Sequence, residues 1–244
     1  MKRLNNKVAI ITGGSGGIGM GIAHCYLNEG AKVIITDIRE SEQEKALVNS
    51  EQDVDFINQD VTDESKWTEV IDEVVKKYGH LDILINCAGI DCKPVPVDQE
   101  SLEDFKNVLN VNLIGTFLGI KHAMKVMKGK GGSIINIASL GGIISSPTFD
   151  AYSASKGGVR LLTKAAALDG ANDKYNVRVN VINPGAIKTP MVTPELEKMF
   201  TAGTPMGHLG KPEDIGQICT YLGSDESEFT TGAEFTIDGG KSAG

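Results

Sequence analysis

The chain has 244 residues, with 24 basic and 32 acidic side chains and a formal net charge of −8. No basic stretch interrupts the acidity, which argues against nucleic acid and anionic membrane as partners, and no apolar run reaches the roughly 18 residues of a membrane span. The opening MKRLNNKVAIITGG leads straight into a strand without a signal-peptide core, so a cytoplasmic protein is expected.

Residues 7–11 form a short β-branched run that reads as a buried strand. TGGSGGIG follows, Thr12 to Gly19, and then Ile18, Ile22, Cys25 and Tyr26 recur at helical spacing until Glu29-Gly30, where a glycine marks a helix stop. Residues 32–36 are a second apolar strand, ending at Asp37. Five of the eight loop residues are glycine, although glycine loses the most entropy on folding. Either the loop is merely mobile, or a ligand comes too close to the backbone for side chains. The position, a strand-to-helix turn inside a βαβ unit, favours the ligand, because unpaired N–H groups and a partial positive charge there suit a pyrophosphate.

Gly14, Gly16 and Gly19 satisfy G-x-G-x-x-G, and Thr12, Gly13, Gly17 and Gly19 satisfy T-G-x-x-x-G-x-G. No Lys-Ser/Thr pair closes the run, which sets aside a nucleoside-triphosphate loop. Asp37 lies near the offset at which an acid binds the adenosine ribose of a nicotinamide dinucleotide. It would face the 2′-phosphate of NADP, and one like-charge pair at about 4 Å costs roughly 4 kcal/mol at an effective dielectric near 20. NAD(H) is therefore expected to be preferred over NADP(H). Arg39 is the counter-reading: its guanidinium either grips that phosphate or is a solvated surface charge.

Further along, residues 54–57 read as a strand ending at Asp60, and residues 63–78 as a helix with Trp67, Val70, Ile71, Val74 and Val75 on one face. A strand over 81–85, a long helix over 102–127, a strand over 133–137 and a helix over 152–171 follow. A strand over 177–182, a helix over 212–223 and a closing strand over 235–237 complete the pattern. Repeated βα units with near-continuous apolar strands predict an α/β fold, a parallel sheet covered by helices on both faces. No linker divides the chain, so one domain over 1–244 is expected. Residues 184–211 lack a long element and are punctuated by proline and glycine, which reads as a functional loop on the substrate side. The four cysteines and four histidines are dispersed, and no metal site is expected.

A parallel sheet gathers ligands at the carboxyl ends of its strands. There stand the glycine loop, Asp37, Asp60-Val61, Asn86-Cys87-Ala88-Gly89, Ser139 and Asn183-Pro184-Gly185. Tyr152 and Lys156, four apart, share one helix face. The bland reading is a half-exposed tyrosine beside a solvated lysine. The sharper one is that Lys156 lowers the phenol pKa from about 10, making Tyr152 an acid/base near neutrality, with Ser139 adding a hydroxyl to polarise a carbonyl.

With Asp60, Asn112 and the order of these motifs along the whole chain, the sequence resembles the short-chain dehydrogenase/reductase family. The resemblance implies a Rossmann-type doubly wound sheet of seven parallel strands and a homotetramer. Carried across, Tyr152 is the acid/base, Lys156 holds the ribose hydroxyls and tunes Tyr152, Ser139 orients the carbonyl, and Asn112 anchors a water relay to Lys156. Gly13, Ser15, Gly17, Ile18, Gly19, Asp37, Asp60, Val61, Asn86, Ala88, Gly89, Pro184, Gly185, Ile187 and Thr189 would bind the cofactor together with Tyr152 and Lys156. Cys87 departs from the family, which more often has a second asparagine there.

The last third, with Val177-Arg178-Val179-Asn180 through Thr189-Pro190, then Thr204-Pro205-Met206-Gly207-His208 and Phe235 to Gly240, is similar to R-specific secondary-alcohol dehydrogenases, or ketoreductases, of lactic acid bacteria. Those enzymes generally prefer NADP, against the Asp37 reading, and can hold a structural magnesium ion near a C-terminus that here reads Lys241-Ser242-Ala243-Gly244. The expected activity is an oxidoreductase interconverting ketones and secondary alcohols with NAD(H). Ile143, Ile144, Pro147 and Phe149 on one side, and Met191, Val192, Leu196, Met199, Phe200 and Met206 on the other, favour an apolar substrate. The same motifs suit a 3-oxoacyl-thioester reductase or a steroid or sugar dehydrogenase. Outside enzymes, a dinucleotide-sensing or scaffold protein is the rival, against which the intact Ser139, Tyr152 and Lys156 speak.

Overall fold

Seven short runs rich in valine and isoleucine become strands in the computed structural model, which describes residues 2–172, 174–190 and 192–244. They are β1 (Val8–Thr12), β2 (Lys32–Asp37), β3 (Val54–Asn58), β4 (Ile83–Asn86), β5 (Gly132–Ile137), β6 (Val177–Pro184) and β7 (Glu234–Ile237). All pair in parallel, in the order β3-β2-β1-β4-β5-β6-β7. Alternate residues serve opposite layers. Ile11, Ile35, Ile85 and Ile135 pack into one core, and Ile10, Ile34, Leu84 and Ile134 into the other. Burial on both faces is why these strands read as unbroken apolar runs. The chain winds outward from β1 to β3 and then resumes at β4 on the other side of β1. A ligand crevice belongs at that switch point.

The helices are α1 (Gly17–Asn28), α2 (Glu42–Ser50), α3 (Glu64–Tyr78), α4 (Leu102–Leu109), α5 (Gly115–Met127), α6 (Asp150–Gly170), α7 (Pro194–Ala202) and α8 (Pro212–Gly223). α3 buries four of the five residues expected on its apolar face, and Val75 is half-buried. Asp63 caps it by accepting from the Ser65 N–H, Gly79 ends it in the left-handed region, and Trp67, Val70, Ile71 and Val74 are buried. The Trp67 indole N–H donates to the Val61 carbonyl at 2.9 Å, which ties the tip of β3 to this helix.

Three elements differ from expectation. The helix expected over 102–127 is split into α4 and α5 by a π-helical turn, Asn110–Ile114. α2 was not predicted, because it buries only Glu44 and Leu47 and so shows no apolar stripe. It is held instead by a capping box, in which Ser41 Oγ accepts from the Glu44 N–H at 3.1 Å and the Glu44 carboxylate accepts from the Ser41 N–H at 3.3 Å. α7 occupies part of the long loop, with Thr193 as its cap and Pro194 in its first turn. Among the described residues no helix is long and apolar enough to cross a membrane.

Candidate active site

The carboxyl ends of the strands enclose a crevice of about 510 Å³. Its floor is made by two turns in backbone contact. Gly13 has φ +62°, and a Cβ there would lie 2.6 Å from Ala88 Cα, so no other residue fits. Thr12 Oγ1 accepts from the Cys87 and Ala88 N–H groups at 3.1 and 3.2 Å, which locks the tips of β1 and β4 together. α1 starts at Gly16 with no side-chain cap and no acid in its first turn. A Cβ on Gly16 would meet only the Gly13 carbonyl, at 3.2 Å, so the helix end is open on its other sides. Uncapped N–H groups and a positive helix end without side chains fit a dinucleotide pyrophosphate.

Most of the expected cofactor residues line this crevice: Gly13, Gly17, Ile18, Gly19, Asp37, Asp60, Val61, Ala88, Gly89, Tyr152, Lys156, Pro184, Gly185 and Thr189, with Ser139 beside them. Four expected residues stand behind the lining. The Ser15 hydroxyl donates to Glu44 Oε2 at 2.6 Å, away from the crevice. Asn86 is buried between strands and donates to Asn136 Oδ1 at 2.8 Å. Ile187 is core and bridges Gly210. Asn112 is fully buried in the π-helical turn, where it accepts from the Ile90 N–H at 2.8 Å and donates to the Ile90 carbonyl at 2.9 Å and to Ser155 Oγ at 3.0 Å. Reasoning from the sequence missed Gln59 and Asp91, which also line the crevice. Each lies within two residues of a recognised motif, and that adjacency was the available signal.

Tyr152 and Lys156 project from the first turns of α6 toward Ser139 at the end of β5. The Ser139 hydroxyl accepts from the Gly141 N–H at 3.0 Å, capping the 3₁₀ turn Leu140–Gly142. Burial raises the Tyr152 pKa above the ordinary phenol value; the neighbouring Ser139 hydroxyl pulls the other way, and the Asp91 charge adds to the rise. Lys156 Nζ lies 5.8 Å from the centroid of the Tyr152 ring and donates to the Ile137 carbonyl at 3.0 Å. Burial pushes its own pKa down to about 8. The Lys156 amine is turned toward Ile137, and burial sets the direction of the Tyr152 shift. A Cβ on Gly89 would lie 3.3 Å from Lys156 Nζ and 3.2 Å from Asn112 Oδ1, so the absence of a side chain there gives both groups room. The Cys87 thiol, pushed up to about 12 by burial, stays protonated at neutral pH.

Of the apolar residues expected to flank the substrate, Ile143, Ile144, Pro147, Phe149, Val192, Leu196, Met199, Phe200 and Met206 all escape burial, so none is ordinary core. Met191 lies outside the described residues. Among the described residues no three His, Cys, Asp or Glu side chains gather as a metal site would require.

A family model described as enoyl-(acyl carrier protein) reductase matches residues 13–242. The chain is 45% identical, over 99% of its length and 98% of the relative's, to an NADP-dependent (R)-specific alcohol dehydrogenase of Lentilactobacillus kefiri. It is 39% identical to a 3-alpha-(or 20-beta)-hydroxysteroid dehydrogenase of Mycobacterium tuberculosis, over 99% of this chain and 92% of that one. Among solved structures, that of gox2181 superposes with a TM-score of 0.92 at 32% identity, covering 99% of this chain and 98% of the other. The first relative overturns the preference for NAD(H) over NADP(H) that Asp37 suggested: it is NADP-dependent, and what stands is dinucleotide use itself. Two features weaken the charge argument. The Asp37 carboxylate accepts from the Ile38 N–H at 2.8 Å, capping its own strand, and Arg39 follows it exposed to solvent.

Proposed function

Because the chain belongs to the short-chain dehydrogenase/reductase family, we propose that it is an oxidoreductase interconverting ketones and secondary alcohols with a nicotinamide dinucleotide. The observation that carries this reading is the convergence of Ser139, Tyr152 and Lys156 on one crevice floored by the glycine turn. When bound, the dinucleotide supplies or accepts the hydride. In ketone reduction Tyr152, kept protonated by burial, gives its phenolic proton to the carbonyl oxygen while the Ser139 hydroxyl polarises that oxygen. Lys156, charged below about pH 8, holds the ribose hydroxyls. Asn112 pins Ile90 and, through Ser155, the start of α6.

The whole chain is one dinucleotide-binding domain with its active site built in, and residues 184–211 form the substrate-side segment. The unburied apolar residues on both flanks favour an apolar ketone. A homotetramer and a cytoplasmic location belong to the same reading, the second because the reaction draws on a dinucleotide pool. Tyr152→Phe tests the core of it. Dinucleotide affinity, read by fluorescence titration, should stay near that of the unmodified protein, and ketone turnover should fall by roughly two to four orders of magnitude. A variant that binds dinucleotide and retains full turnover removes Tyr152 as the proton donor.

A further inference from the structure

The segment that follows β4 carries a carboxylate that the proton-transfer residues do not account for. Ile90 is held at both backbone atoms by Asn112, at 2.8 and 2.9 Å. Cys92 rests against the entry to α6, with its Sγ 4.0 Å from the Thr148 carbonyl. Asp91 is fixed between these two anchors. Its Oδ1 accepts from the Cys92 N–H at 2.9 Å, which sets the direction of the carboxylate, and the residue lines the same crevice as Ser139 and Tyr152. Among the described residues no Lys, Arg or His side chain pairs with it. The adjacent Lys93 is turned to Asp104 at 3.1 Å. The negative charge is felt at the reacting groups, since it raises the pKa of both Tyr152 and Lys156.

We propose that Asp91 filters substrates by charge, favouring ketones and secondary alcohols that carry an ammonium group beside an apolar body and rejecting anionic ones. The inference rests on the ketone reductase reading of the same crevice. A pinned, unpaired carboxylate, exposed at the mouth of the crevice, attracts a cation and repels an anion. A substrate cation seated against it also cancels the field that tightens the Tyr152 proton, so recognition and proton donation act in the same direction.

The test compares kcat/KM for three acetophenones substituted with an aminomethyl, an ethyl or a carboxylate group, at neutral pH and low salt. The unmodified protein should rank them cationic, neutral, anionic, with about two- to fivefold between successive members. Asp91→Asn should compress the series toward unity, and Asp91→Glu, which keeps the charge, should preserve the order; thermal melts of both variants confirm that they are folded. A series that Asp91→Asn leaves unchanged, or one in which the carboxylate is best, overturns the charge filter while leaving ketone reduction intact. Failure of the unmodified protein to turn over any of the three overturns the reading of the site, and the filter with it.

Discussion

Lys156 carries the clearest consequence at the scale of single residues. Its amine is almost wholly buried, with one carbonyl partner, so its pKa falls to about 8. Ketone reduction that needs this charge should be level through the neutral range and decline above about pH 8, read as kcat/KM between pH 6 and 10. A profile flat to pH 10 would remove the charge from the mechanism. The sign of the stability effect separates this decline from unfolding. The folded pKa lies below the ordinary 10.5, so between about 8 and 10.5 the unfolded chain binds more protons, and this group's contribution to stability rises with pH. Legibility at this scale followed chemistry. Gly13 was readable because a close backbone approach needs glycine, and Tyr152 and Lys156 because four residues make one helical turn. Asp91 was not, because an aspartate in a loop is ordinary turn chemistry until its surroundings are known. Nor was the upward shift of the Tyr152 pKa, since burial depends on the whole fold.

At the scale of elements, the split of the expected 102–127 helix is what brings Asn112 to the site. One π-helical turn shifts the register of a long helix without breaking its apolar periodicity, so the pattern read as a single helix. Removing the Asn112 carboxamide leaves the Ile90 N–H and carbonyl without their side-chain partner. Asn112→Ala should therefore cost about 2–4 kcal/mol, a fall in Tm of several degrees for a chain of this size. Hydrogen exchange should quicken at Ile90 and Asp91 and remain unchanged in β2 and β3. Slow exchange at Ile90 in that variant would show that the turn after β4 is held by something else. α2 teaches the complementary lesson. The S-x-x-E box at Ser41 and Glu44 stands in the sequence, but the residues after it make no apolar stripe. Short surface helices held by their caps are the elements that hydrophobic periodicity does not detect.

At the scale of the whole molecule, the alternation of strands and helices and the unbroken apolar strands were enough for a parallel sheet with two helical layers. The order of the strands was not in that pattern, because every order that keeps crossovers right-handed buries the same runs; it is read from the structure alone. The outer face of one helical layer carries a further consequence. Leu161 and Leu168, seven residues apart on one side of α6, are 69% and 79% exposed, and Phe117 on the neighbouring α5 is 46% exposed. A large apolar side chain gains about 1.5–3 kcal/mol when fully covered, so an array on two adjacent helices favours association through that face. The homotetramer proposed for this chain should thus appear in sedimentation as a species of four times the chain mass. Leu161→Glu combined with Leu168→Glu should shift it to smaller species, because each copy would place carboxylates in an apolar contact. Circular dichroism should report the subunit fold unchanged, since both side chains lie outside the two cores. A tetramer that survives both substitutions assembles through another face, and a monomer in the unmodified protein removes the assembly altogether.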